Sequence, residues 1–126
     1  MIDPVSTDQA PAAIGPYSQA VRHGDTVYVS GQIPLDPATG ALVEGGIREQ
    51  TRRAFGNARA ILEAAGTSLD KALQVTVLLD AIEDFAAVNE EYATFFTEPY
   101  PSRMAYAVAA LPKGALIEVT VVAAAD

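Results

Sequence analysis

The stretch PSRMAYAVAALPKGALIEVTVV, Pro101 to Val122, carries the reading of the fold. It reads as two apolar strands, near Arg103–Ala109 and Leu116–Ala124, joined by a Leu111-Pro112-Lys113-Gly114 turn. Two such strands with a short turn between them predict a hairpin. Strand propensity favours Val or Ile throughout, yet one cation, Arg103, and one anion, Glu118, interrupt the apolar run. Those two charges are the clearest hint of chemistry in the chain.

Upstream of the hairpin, Phe85, Val88, Tyr92 and Phe95 fall on one face of a helix that follows the capping residues Asp80–Asp84 and ends before Pro99. The preceding run LQVTVLL, Leu73–Leu79, is β-branched and apolar with little alternation, the pattern of a central strand buried on both faces. Before it, Ile47, Thr51, Ala54, Phe55, Ala58, Ile61, Leu62 and Ala65 keep helical spacing until Gly66, a residue suited to the position after a helix. The opposite face of that helix carries Arg48, Arg52, Arg53 and Arg59 and reads as solvated or subunit-contacting rather than as an anion site. Arg48 and Arg52, four residues apart, repel each other. Ser18–Val21 and Thr26–Ser30 flank a His23-Gly24-Asp25 turn and predict another hairpin, while Ile33–Gly46, broken by Pro34, Pro37 and Gly40, is a loop. Met1–Ile14, with Pro4 and Pro11, is an extended arm. The element order is β-β-α-β-α-β-β within one domain. Right-handed crossovers put both helices on one face of a mixed sheet, a two-layer α+β fold whose uncovered face is the natural oligomer surface.

Composition narrows the functions available. A net charge of -8 over 126 residues argues against a nucleic-acid partner, which needs clustered Lys and Arg. With no cysteine, thiolate catalysis and disulfides are excluded. The single histidine, His23, gives a Ser-His-Asp arrangement or a multi-His metal site little to build on. Gly45-Gly46 precedes a helix without a phosphate-loop pattern and reads as a helix-entry turn. Asp36 and the acidic residues of the second helix lack calcium-loop spacing and are expected in solvent. No membrane-length apolar run and no leader pattern is visible, which makes a cytoplasmic protein the default expectation.

Arg103 and Glu118 have a structural and a functional reading. They form an ordinary ion pair across the hairpin or reach water at strand ends, or they flank a ligand. With the turn centred on Leu111-Pro112, Glu118 faces Ala105 and lies diagonally from Arg103 at roughly 7 Å. Centring on Pro112-Lys113 separates them by about 13 Å on one face, and a half-step shift puts them on opposite faces. The first register leaves room for a small planar acid and a water, its carboxylate held by two parallel hydrogen bonds from Arg103.

The segments GPYSQAV (Gly15–Val21), VSGQIP (Val29–Pro34), ILEAAG (Ile61–Gly66), FAAVNEEYATFF (Phe85–Phe96), PSR (Pro101–Arg103) and LPKGALIEV (Leu111–Val119) together resemble the RidA/YjgF family. The resemblance covers about Ala10 to Val122. It implies a homotrimer of chorismate-mutase-like α+β subunits with clefts between subunits, and hydrolysis of reactive enamines and imines, such as 2-aminoacrylate and 2-iminopropanoate, to 2-keto acids and ammonia without metal or organic cofactor. By matching position, Arg103 resembles the substrate-carboxylate clamp and Glu118 the carboxyl group that positions water. Tyr17 resembles a cleft wall, Ser30 and Gly31 the cleft lining, and Asn89 a supporting residue. Many family members carry Cys, Ser or Thr where this chain has Ala105, which leaves a backbone carbonyl but no side-chain hydrogen bond at that point. A non-catalytic binder of small carboxylates, or a deaminase for a pathway-specific enamine, stays open as an alternative.

Overall fold

Helix α1 spans Ile47–Ala64 in the computed structural model, which describes residues 1–126. Its start is fixed by Glu49, whose Oε1 accepts the Gly46 N–H at 2.8 Å. Its end is fixed by Gly66, which adopts φ +85°. Ala54, Phe55, Ala58, Ile61 and Leu62 form its fully buried stripe. The second helix, α2, runs Phe85–Tyr92 and is shorter than its apolar spacing predicts. The chain then turns so that Tyr92, Phe95 and Phe96 still pack around Phe55, with ring centroids 5.4 to 5.7 Å from it.

The strands are β1 Asp3–Val5, β2 Ala20–His23, β3 Thr26–Val29, β4 Ala72–Leu79, β5 Ser102–Ala107 and β6 Ile117–Ala124. They form one mixed sheet in the order β1-β2-β3-β6-β4-β5, with both helices on one side. Val75, Val77 and Leu79 of β4 and Ile117, Val119 and Val121 of β6 are fully buried beneath the helices. Each such side chain stabilises the fold by about 1.5–3 kcal/mol.

The expected hairpin of Pro101–Val122 does not form. β4 lies between β5 and β6, pairing parallel with β5 and antiparallel with β6. The physical reason is that β4 satisfies both of its backbone edges this way, whereas a β5–β6 hairpin would leave this apolar strand with an open edge. The Leu-Pro-Lys-Gly turn exists, but it belongs to a longer connection that crosses the end of β4, where the Asp80 N–H donates to Leu116 O at 3.0 Å. The N-terminal arm also departs from expectation, because β1 adds a sixth strand at the sheet edge. Pro4 is tolerated there since β1 pairs only with β2. Buried Gln19 ties the arm down, its Oε1 accepting the Thr7 N–H at 2.7 Å and its Nε2 donating to Pro11 O at 2.8 Å.

Charges on the helices are also rearranged relative to expectation. Glu91 of α2 is buried rather than solvated, and it accepts hydrogen bonds from Arg52 Nε at 2.8 Å and Arg48 Nη1 at 3.1 Å. The two arginines thus share an anion that offsets their mutual repulsion. The sheet face away from the helices is not covered within the chain: Tyr28 of β3 and Met104 and Tyr106 of β5 are each about half exposed there, and Leu73 is half exposed at the bulge in β4. No helix is long and apolar enough to cross a membrane.

Candidate functional site

Glu118 is the second residue of β6, paired with Leu78 of β4 on the sheet face turned away from the helices. The backbone of Gln32 pairs with Val119, its N–H donating at 2.7 Å and its carbonyl accepting at 3.0 Å. That pairing lays Gly31 directly against the Glu118 side chain. A Cβ at Gly31 would collide with Glu118 Oε2 and stand 3.0 Å from its Cδ, so only glycine leaves the carboxyl group in place. No cation and no hydrogen-bond donor of the chain meets that carboxyl group, and burial pushes its pKa above the ordinary value.

Beside it is a cavity of about 280 Å³ bordered by Ile14, Tyr17, Gly31, Lys113 and Glu118. Tyr17 comes from the segment following the arm, and its hydroxyl accepts the Ile14 N–H at 3.3 Å. The arm itself contributes Pro11 and Ala12 to the wall. Gln19 therefore shapes the cavity as well as anchoring the arm, a role without a signal in composition or spacing. Ser30 does not border this cavity. Its hydroxyl is committed to Ser18 O at 2.6 Å and its N–H to Gln19 O at 2.9 Å, which fixes the strand ends around the cavity.

Arg103 lies elsewhere. It pairs with Val75 across β4 and so projects on the helix side of the sheet. Its guanidinium rests over the Tyr92 ring at 4.7 Å and the Phe85 ring at 5.3 Å, both of α2. Nη1 donates to Asn89 Oδ1 at 2.6 Å, leaving the other donors unused and no carboxylate in contact. Burial raises the pKa of the Tyr92 hydroxyl, and the charge of Arg103 acts against that shift. Arg103, Asn89, Tyr92 and Tyr100 border a second depression of about 460 Å³. Ala105 pairs with Val77 on the same side, packs half-buried against the core, and borders neither depression. Sequence spacing placed Tyr92 and Phe85 in the core without showing that they would also form a platform for Arg103.

Within one chain Arg103 and Glu118 are therefore not neighbours. They sit on strands either side of β4, roughly 14 Å apart by strand spacing and rise, and on opposite faces of the sheet. The diagonal pairing expected of a hairpin is overturned, because that geometry required β5 and β6 to touch. The structure brings Tyr17, Gly31 and Glu118 together, and separately Asn89 and Arg103.

The sequence model of the family described as Endoribonuclease L-PSP matches residues 7–125. A RutC family protein of Sinorhizobium fredii is 51% identical over 122 residues, 97% of each chain. A human protein named 2-iminobutanoate/2-iminopropanoate deaminase is 51% identical over 119 residues, covering 94% of this chain and 87% of its own length. The crystal structure of RidA from an Antarctic Psychrobacter matches with a TM-score of 0.93 at 47% identity, covering 97% of this chain and 98% of that one. Names thus vary among relatives of equal sequence identity. On these matches the chain belongs to the endoribonuclease L-PSP family, the RidA/YjgF family whose motifs it carries.

Proposed function

We propose that this protein hydrolyses small 2-imino acids, formed from reactive enamines such as 2-aminoacrylate, to 2-keto acids and ammonia, in clefts between the subunits of a homotrimer. The observation that carries this reading is a pair of unspent charges. Arg103 is a guanidinium with no carboxylate, and Glu118 is a half-buried carboxyl with no cation, on opposite faces of one sheet. Stacking of a second copy against the exposed sheet face would let Arg103 of one subunit and Glu118 of the next border one cleft. The deaminase named among the relatives supports the same chemistry.

In that cleft the substrate carboxylate takes two parallel hydrogen bonds from Arg103, whose orientation is held by Asn89 below and Tyr92 behind. Water adds to the imine carbon: the C–O bond forms as the C=N π pair moves to nitrogen. Glu118, its pKa raised by burial, accepts the proton from the attacking water and returns it to nitrogen. The carbinolamine hydroxyl then gives its proton to Glu118 as its O–H pair forms the C=O bond and the C–N pair leaves with nitrogen, so ammonia departs, the 2-keto acid remains, and Glu118 passes the proton to water. The protonated imine is electrophilic, so orientation and proton transfer suffice.

The test uses an imine generated in situ by a threonine or serine dehydratase, with 2-keto acid release as the readout. Arg103→Ala is expected to lower kcat/KM roughly a hundredfold with assembly intact, and Glu118→Gln to lower kcat by about 10²-fold or more with smaller change in KM. Retained turnover in Arg103→Ala sinks the clamp. A second reading, a binder of small carboxylates without turnover, draws on Arg103, whose free donors would hold a carboxylate whether or not hydrolysis follows. Binding of a 2-keto acid without faster imine hydrolysis by the parent protein would favour it.

A further inference from the structure

Half of the cationic side chains of this acidic protein, four of eight, lie on α1, and the structure divides them into two pairs with different surroundings. Arg48 and Arg52 are spent on Glu90 and Glu91. Arg53 and Arg59 form no ion pair. Between them, three residues from each and about 60° around the helix from both, stands Gly56. Glycine is a poor residue in a helix interior, and here no backbone dihedral requires it. A Cβ at Gly56 would stand 3.0 Å from Arg53 Nη2, so the missing side chain lets Arg53 lie across the helix surface in this posture.

That posture brings no hydrogen bond in return. Arg53 Nε is buried and has no partner. Arg59 is held from the other side by its contact with the Phe95 ring, 5.2 Å from Cζ to the ring centroid. Two depressions, of about 440 and 340 Å³, meet at this point, and Arg53, Gly56 and Arg59 border both. Thr7 and Gln9 of the arm add polar groups to the larger one. The carboxylates nearby are Glu49 and Glu63. Glu49 is occupied by the Gly46 N–H and lies 3.9 Å from Arg52, and Glu63 is at the far end of the larger depression, one turn beyond Arg59.

We propose that Arg53 and Arg59 form a binding site for a phosphate monoester over Gly56, on the outer face of α1 and apart from the imine cleft. Two guanidinium groups offer forked donors and two positive charges, which match a phosphate dianion better than a single carboxylate. With no side chain at Gly56, the Arg53 guanidinium lies across the helix on the side of Arg59, and both residues border the two depressions. This site departs from the reading of the basic helix face as solvated or subunit-contacting: one pair of arginines ties the helices together, and the other pair is left for a ligand.

The experiment titrates the full-length protein with inorganic phosphate at constant ionic strength and follows the arginine side-chain Nε–H resonances, with acetate as the control. Saturable shifts at Arg53 and Arg59 are expected, with affinity weakened roughly tenfold in Arg53→Gln and in Arg59→Gln, while imine turnover stays unchanged in both. Gly56→Glu, which places a carboxylate in the notch, is expected to abolish binding with the amide spectrum otherwise retained. No saturable shift, an equal response to acetate, or undiminished binding in the double variant would overturn the assignment. Co-sedimentation with vesicles containing phosphatidic acid, lost in Arg59→Gln, would identify a lipid as the source of the monoester, and its absence a soluble metabolite.

Discussion

Ionising Glu118 costs desolvation that no group of its own chain returns, so its proton is held more tightly than that of an ordinary glutamate. If it serves as the base for attacking water, kcat/KM falls as pH drops through a pKa displaced upward from the usual value of about 4.3. Glu118→Gln should lose that acidic limb altogether while keeping whatever dependence belongs to the substrate. A pH–rate profile of the parent and the variant with the same limb would remove Glu118 from the proton transfer. At this scale the sequence shows which residues are out of place, since a charge in an apolar strand is visible without a structure. It does not show which face each charge occupies, because that depends on the identity of the paired strand. Gly31 shows the same limit: the motif marks it, but only the approach of Glu118 explains it.

The two helices are legible because their apolar residues recur at a period that no strand shares, and Gly66 marks the end of α1. The hairpin expected over Pro101–Val122 does not form because nearness in sequence is a weak guide to pairing when a third strand has two edges to satisfy. β1, three residues including a proline, carries too little pattern to be recognised. The clasp between α1 and α2 is invisible for another reason, since Glu91 meets Arg48 and Arg52 across about forty positions of sequence. The arginine hydrogen bonds hold the Glu91 pKa below its ordinary value. A depressed folded-state pKa contributes stability that is present above the unfolded value and lost as pH falls through the folded one. Glu91→Gln should therefore lower the urea midpoint at pH 7, and the gap to the parent should close below the ordinary carboxylate range. Equal midpoints at pH 7 would make the clasp energetically neutral.

Across the whole molecule, an overall charge of -8 coexists with a sheet face carrying Tyr28, Met104 and Tyr106 half in solvent. A face of that kind favours association with another copy. In the trimer proposed here each cleft draws Arg103 from one subunit and Glu118 from the next, so the two defects Arg103→Ala and Glu118→Gln belong to different chains of the same cleft. This has a genetic consequence. Any trimer assembled from both kinds of defective chain, whether two of one or two of the other, contains one junction where an intact arginine meets an intact glutamate. Random reassembly of the two defective proteins in equal amounts should restore roughly a quarter of parental turnover, whereas either protein alone should show no more than about a hundredth of it. Complementation of this sort is impossible for a site built within one chain, so two dead alleles expressed together would yield a working enzyme because the strand between Arg103 and Glu118 keeps them apart.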